Sequence, residues 1–148
     1  MSENQFYLKV AFALSGCQLI EQELKLYISE ALELVRKCIG NRLTFKMSGE
    51  DYEDASLERL IDVFRKFTEN DALVKALNAF KKERNFLSHK GISHCLDLEG
   101  ELFETTANEF EQRLANIQSE ASRLRQEISE EGFKFRATLW FGDFTNAA

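Results

Sequence analysis

Residues 5–39 read QFYLKVAFALSGCQLIEQELKLYISEALELVRKCI, and this stretch decides the fold. Its apolar residues alternate spacings of four and three without a break: Phe6, Val10, Ala13, Cys17, Ile20, Leu24, Tyr27, Ala31, Leu34 and Cys38. That period is typical of one face of an α-helix. Further apolar residues widen the stripe, so we expect a central helix that is covered on several sides. It would be roughly 50 Å long and would end at Gly40-Asn41, residues that tolerate the left-handed C-terminal position.

Two shorter helices are expected next. The second begins near Ser56, a residue type that caps helix N-termini well, and places Leu57, Leu60, Ile61 and Phe64 on one face. The third begins at Asn70 or Asp71 and ends near Lys90-Gly91. Both patterns have the 3.6-residue period of amphipathic helices that cover a core.

The fourth helix is predicted from about Glu101 to Glu130. Its apolar residues repeat the strict four-three alternation: Phe103, Ala107, Phe110, Leu114, Ile117, Ala121, Leu124 and Ile128. The chain contains no proline, which favours uninterrupted helices. We therefore predict one domain over residues 1–148, an all-α, up-and-down bundle of about four helices, two of them long, that occupies residues 5–130.

Two segments have the period of an extended chain instead. Apolar and polar residues alternate over residues 43–48 and again over residues 133–141, and this period of two is typical of a strand with one buried face. The second segment lies in an aromatic C-terminal tail, residues 132–148, that we expect to be extended. A lone strand leaves its backbone groups unpaired, so these segments would pair with each other or with a second subunit.

Composition and charge narrow the class of protein. The chain has 148 residues and a net charge of −6, which argues against a general nucleic-acid coat but permits an enzyme that contacts a few phosphates. Cys17 and Cys38 fall at core-type helical positions, which predicts reduced thiols and a cytoplasmic location. The N-terminal sequence lacks the layout of a signal peptide. No stretch is apolar enough to span a membrane, so we expect no membrane partner.

The chemistry-bearing residues lie late in the third helix. Arg84 falls on the apolar stripe where a leucine would be expected, and a guanidinium is costly to bury without an anion. His89 follows five residues later and is the side chain best suited to moving protons near neutral pH. Lysines surround the pair at positions 81, 82 and 90. An anion clamp beside a proton carrier on a basic turn indicates phosphoryl chemistry with RNA as the substrate.

The stretch Arg84-Asn85-Phe86-Leu87-Ser88-His89 resembles the motif of the HEPN superfamily, which is an Arg, four to six residues and a His, often with a polar residue after the Arg. Members are helical bundles, commonly dimeric, and many are metal-independent endoribonucleases of toxin–antitoxin and defence systems. The resemblance implies that Arg84 and His89 are catalytic and that Asn85 supports them. One subset of the family carries a Tyr two residues after the His, which a partner enzyme modifies. That position is Gly91 here, so the resemblance does not extend to this mode of inhibition.

Attack of a ribose 2′-hydroxyl on the adjacent phosphodiester needs a base, an acid and cationic donors, but no metal or other cofactor. Arg84 supplies a planar fork for phosphate oxygens, and His89, in the last helical turn, is favoured as the general acid. Lys81, Lys82, Ser88 and Lys90 are the candidate RNA- and phosphate-binding residues. Because Arg84 and His89 point about 140° apart on a regular helix, we expect two copies to share a composite site across a two-fold axis.

Other interpretations stay open at this point. Arg84 can instead form a structural ion pair with Glu21 or Glu23 of the first helix. The chain can then be a non-catalytic helical module that binds nucleotide, RNA or a partner protein, or an antitoxin-like or regulatory subunit. His94-Cys95, together with His89, makes only a weak signal for a metal site, because the sequence has no paired ligand spacing of the CxxC type.

Overall fold

In the part of the chain that the structure describes, the fold is a bundle of four α-helices, two of them long, and the all-α prediction is confirmed. The computed structural model describes residues 2–91 and 101–145, with side chains for residues 2–89 and 108–145. Helix α1 spans Glu3–Ile39, α2 Leu57–Phe64, α3 Asp71–Phe86 and α4 Glu101–Phe141. A 3₁₀ turn at Gly49–Tyr52 precedes α2, and a π-helical turn at Leu87–Gly91 follows α3.

Short polar residues cap the helix starts, at Ser56 and Asn70 as the sequence predicts and at Ser2, which it did not single out. Ser2 and Gln5 form a reciprocal capping box at the start of α1. The Ser56 hydroxyl accepts the backbone N–H of Arg59 at the start of α2, and the Asn70 side chain accepts that of Leu73 at the start of α3. Gly40 ends α1 with a φ of 58°, a backbone conformation that favours glycine.

The long helices α1 and α4 run parallel, because their contacts rise together along both chains. Lys9 pairs with Glu111 near one end and Glu30 with Arg136 towards the other. Between them Gly16 brings the helices close, since a Cβ at this position would lie 3.0 Å from the Ala121 Cβ. Helix α3 runs antiparallel to α4 beside them.

The core is one cluster that draws on all four helices and on Leu87 of the π-helical turn. Every described residue of the predicted α1 stripe from Phe6 to Ala31 is buried. Tyr27 packs edge-on against Phe64 of α2 at 4.7 Å and Phe135 of α4 at 5.2 Å between ring centroids. Burial raises the pKa of Tyr27 to about 12, and the nearby Glu131 carboxylate adds to the rise.

The prediction of an extended tail is wrong for residues 133–141, which continue α4. The four-three seam simply goes on from Ile128 through Glu131 and Gly132 to Phe135 and Leu139. The alternating aromatics Phe133 and Phe141 point to solvent, so a period of two coincided with a helix.

The segment at residues 43–48 has no regular structure from residue 44 to residue 48. Phe45 packs against the core, whereas Leu43 and Met47 are exposed, so the segment lacks the buried face that a strand would have. Pairing with residues 133–141 is ruled out, because those residues are helical. Cys38 also differs from its prediction: Cys17 is buried, but Cys38, near the end of α1, is exposed.

Candidate functional site

The predicted motif lies where α3 gives way to the π-helical turn. Arg84 and Asn85 belong to the last turn of α3, and Ser88 and His89 belong to the turn Leu87–Gly91. Leu87 anchors this turn, because its side chain is fully buried in the core. Single π-helical turns are rare and occur frequently at functional sites. The third helical segment therefore ends where the sequence predicted, but its last turn is π-helical and not α-helical.

Arg84 lies against α1. Its Nη2 is 3.6 Å from Glu21 Oε1, and the two side chains are 37% and 19% exposed. Cys17 lies one turn before Glu21, and burial raises the pKa of its thiol to about 11 although the nearby Arg84 guanidinium acts in the opposite direction. The partner that covers Arg84 is thus Glu21, one of the two acids that the ion-pair interpretation names. Glu23, the other, lies 3.8 Å from Arg125 of α4.

Asn85, Ser88 and His89 are exposed. Lys82 is exposed as well, and the successive spacings of three and four from Lys82 to Asn85 to His89 place these residues on one outward face. The structure therefore groups three predicted polar side chains and one lysine on this face, which we call the α3 polar face. It consists of Lys82, Asn85, Ser88 and His89.

Two predicted phosphate-binding lysines are placed differently. Lys81 turns towards α2, where its Nζ is 3.6 Å from Glu58 Oε1 and its side chain is 25% exposed. The side chain of Lys90 lies outside the described residues, as do His94 and Cys95. Arg84 also points away from the α3 polar face, towards α1, so one chain does not gather all the predicted site residues around one point.

A cluster that no sequence pattern indicated fixes the last turn of α3 against α4. Arg113 donates to both carboxylate oxygens of Glu83, at 2.8 and 3.1 Å. Its guanidinium lies 3.4 Å over the Phe86 ring centroid, and Phe86 contacts the ring of Phe110 edge-on at 5.2 Å. Nothing in the sequence marks these partners, since they meet only when α3 and α4 pack. The cluster positions the helix end that carries Arg84 and Asn85.

No apolar surface beside Arg84 calls for a second copy of the third helix. Leu77, Phe80 and Leu87 share the stripe of Arg84 and would form an apolar patch if that face were open to solvent. All three are buried within one chain, at 0–2% exposure. Arg84 itself is covered by Glu21, so no second copy is needed to cover it.

Within the part of the chain that the structure describes, no group of His, Cys, Asp or Glu residues is arranged to hold a metal ion. No described helix is long and apolar enough to cross a membrane. No family model matches the chain, and no curated protein or solved structure matches it either.

Proposed function

We propose that the chain is a metal-independent endoribonuclease that uses Arg84, Asn85 and His89. The observation that carries this proposal is the exposed group of Asn85, Ser88 and His89 on a π-helical turn, one residue away from an arginine that a single long ion pair holds. The resemblance of this stretch to the HEPN motif favours RNA as the substrate. It also favours a cytoplasmic role of the toxin or antiphage type, restrained by an antitoxin or regulatory partner.

The proposed reaction is attack of a ribose 2′-hydroxyl on its own 3′-phosphate. A base removes the 2′-hydroxyl proton, the new P–O bond forms, and the bond to the 5′-oxygen breaks as an acid protonates the leaving oxygen. The products are a 2′,3′-cyclic phosphate and a 5′-hydroxyl. His89 as imidazolium is the acid, Arg84 turns from Glu21 to the phosphate oxygens, and Asn85 donates to the phosphate.

A second copy supplies the base in this proposal. One imidazole does not serve readily as acid and base in one concerted step, and the α3 polar face contributes one His per chain. Two such faces that meet on one RNA bring two His89 residues to the phosphate. Each Arg84 joins them only when its side chain turns from Glu21, and the phosphate charge then offsets the repulsion between the two arginines. We therefore propose that the composite site forms on RNA.

The test is cleavage of a uniformly labelled RNA by the full chain, with and without EDTA. We expect cleavage to persist in EDTA, to leave 2′,3′-cyclic phosphate ends and to be lost in Arg84→Ala and in His89→Ala. Arg123→Ala is the matched control, because Arg123 forms exposed pairs with Glu120 and Glu127 away from the motif. Strict dependence on Mg²⁺, 3′-hydroxyl ends, or equal loss in the Arg123 control would refute the proposal.

The Arg84–Glu21 pair favours a second candidate, a non-catalytic module that binds RNA, nucleotide or a partner protein through the same surface. In that case the pair is structural, and the α3 polar face supplies contacts alone. Fluorescence anisotropy with labelled RNA separates the two. If the chain is a binding module, the bound RNA stays uncleaved. Lys82→Ala then weakens RNA binding and makes its affinity less dependent on salt.

A further inference from the structure

The back of α1 is an uncharged surface on a highly charged chain. Charged residues make up 30% of the sequence, and the net charge is −6. The residues of α1 between Asn4 and Ser29 that are exposed as a whole are nevertheless uncharged, and the nearest charge with an open side chain is Lys9, which pairs with Glu111 of α4. The exposed residues are Asn4, Gln5, Leu8, Ala11, Phe12, Ser15, Gln18, Leu19, Gln22, Leu26 and Ser29.

Four of these residues are large and apolar, and they line up. Leu8, Phe12, Leu19 and Leu26 are 43–55% exposed. Phe12, Leu19 and Leu26 are seven residues apart, and Leu8 adds the intermediate position, so the four follow a heptad seam. We call this surface the α1 seam. It is about 27 Å long from Leu8 to Leu26.

The neighbouring surface of α4 extends the α1 seam. Ser122 and Gln126 are exposed there, and together with Gly16 and Leu19 they line a shallow groove of about 260 Å³ between the two helices. Charge enters this groove only through Glu23 and Arg125, which lie 3.8 Å from each other. A partner that covers the α1 seam therefore needs uncharged residues, apolar or polar, opposite the seam itself.

We propose that a second copy of this chain covers the α1 seam, with the two α1 helices antiparallel across a two-fold axis. Two chains of net charge −6 repel each other over most of their surfaces, and the α1 seam is a surface on which they meet without like charges. This dimer does not depend on RNA cleavage.

The register of the pairing follows from the seam. Antiparallel heptads place Leu26 of one copy against Leu8 of the other, and Leu19 against Ser15, about the midpoint at residue 17. Phe12 then lies level with Gln22 of the second copy, beside the groove that Leu19 and Ser122 line. Lys9, which pairs with Glu111 in its own chain, comes within one helical turn of Glu23 of the second copy, which pairs with Arg125, so the border of the interface carries charges of both signs. In a parallel pairing each charged residue would instead lie level with the same residue of the second copy, so like charges would meet.

This interface differs from the RNA-bridged contact of the proposed function. Leu19 and Glu21 are two residues apart and so point to opposite sides of α1. Glu21 faces Arg84, and the motif of each copy therefore stays accessible on the outer side of the α1-mediated dimer.

Sedimentation velocity of the full chain without RNA tests the proposal. We expect a dimer at micromolar concentration, and we expect Leu19→Glu to raise its dissociation constant by about 100-fold or more, because a carboxylate would be buried without a partner. Phe141→Glu is the matched control, since Phe141 is 84% exposed at the far end of α4. Circular dichroism should match wild type in both variants, and so should the melting temperature at protein concentrations too low for the wild-type dimer to form.

A wild-type monomer at micromolar concentration, or a Leu19→Glu variant that stays dimeric, would overturn the proposal. So would binding of neutral lipid vesicles or RNA by the α1 seam of a monomeric wild type. Loss of the RNA-independent dimer with RNA cleavage retained supports this interface and leaves the proposed function standing.

Disulfide trapping tests the register in a Cys38→Ser, Cys95→Ser background. A mixture of chains carrying Ser15→Cys and chains carrying Leu19→Cys should cross-link to each other under mild oxidation faster than either does alone. Faster cross-linking of each variant with itself would reject the antiparallel pairing.

Discussion

Two of the Glu–Arg pairs that join α1 to its neighbours, Glu30–Arg136 and Glu21–Arg84, differ in almost every respect. Glu30 and Arg136 meet through two hydrogen bonds of 2.7 and 2.9 Å, with side chains only 11% and 12% exposed. Glu21 and Arg84 approach to 3.6 Å, and the arginine is 37% exposed. We call Glu30–Arg136 the locked pair and Glu21–Arg84 the loose pair.

The surroundings explain the difference. Gly132 makes room for Arg136, because a Cβ there would lie 2.9 Å from its Nη2. The Arg136 guanidinium also lies 5.0 Å from the Phe133 ring centroid and 5.8 Å from that of Trp140. Arg84 has Cys17 and Glu21 beside it. A fixed, desolvated pair has a structural role, whereas a guanidinium in a long, partly exposed pair can turn to an anion.

The largest expected effect is on stability and falls on the locked pair. Arg136→Ala should lower the free energy of unfolding by about 3–5 kcal/mol, because it leaves the Glu30 carboxylate buried without its partner. Arg84→Ala should lower it by only about 0–1 kcal/mol. Urea unfolding followed by circular dichroism measures both variants.

Activity should follow the opposite order. Arg84→Ala should abolish RNA cleavage while the protein stays folded, and Arg136→Ala should cleave at the wild-type rate at a temperature where it remains folded. If Arg84→Ala destabilises as strongly as Arg136→Ala, Arg84 is a structural residue and the comparison fails.

The next effect concerns Glu131, which holds the end of α4 that carries Arg136. Its buried carboxylate accepts hydrogen bonds from Thr68 at 3.0 Å, Asn70 at 3.0 Å and Lys134 at 2.7 Å. Burial alone would raise the pKa of Glu131, but these three donors together lower it. Glu131→Gln should lower the free energy of unfolding by about 1–3 kcal/mol at pH 7.

The difference in the free energy of unfolding between wild type and Glu131→Gln should become smaller as the pH falls. A carboxyl whose folded pKa lies below its unfolded value of about 4.3 stabilises the fold above that value and loses this contribution as the pH falls through the folded pKa. The gap between wild type and Glu131→Gln should therefore shrink below about pH 4. Glu127→Gln, which changes an exposed partner of Arg123, is the control and should stay near wild type throughout. A gap that is constant with pH would show that Glu131 stabilises by packing alone.

The same two regions mark what the sequence can predict. The seams of α1 and α4 follow from the spacing of large apolar residues, because burial of such residues decides which face is inside. The end of α4 was missed because Glu131 and Gly132 occupy its seam. A Glu-Gly pair looks like the end of a helix, yet here the carboxylate has three donors and the glycine accommodates Arg136. Polar contacts between helices leave no periodic pattern in the sequence, so the sequence alone does not reveal them.

The candidate site was predictable in part for the same reason. The position of Arg84 on the apolar stripe indicated an acidic partner on the first helix, such as Glu21 or Glu23. The choice between them depends on how α3 crosses α1, which no local pattern contains. The π-helical turn under His89 and the Arg113–Phe86 contact likewise arise only from packing.

The weakest effect should be on RNA affinity and concerns the Arg84–Glu21 pair itself. If Glu21 competes with phosphate for Arg84, Glu21→Gln should tighten RNA binding. A half-exposed pair is worth about 0–1 kcal/mol, so the gain should be at most about fivefold. Stability should change by no more than the same amount. Anisotropy titrations at low salt, where such pairs are strongest, measure this. Glu23→Gln is the matched control, because Glu23 lies two residues on and pairs with Arg125 instead. Weaker RNA binding in Glu21→Gln than in Glu23→Gln would mean that Glu21 holds Arg84 in its working position, and the loose pair would then be part of the site rather than its competitor.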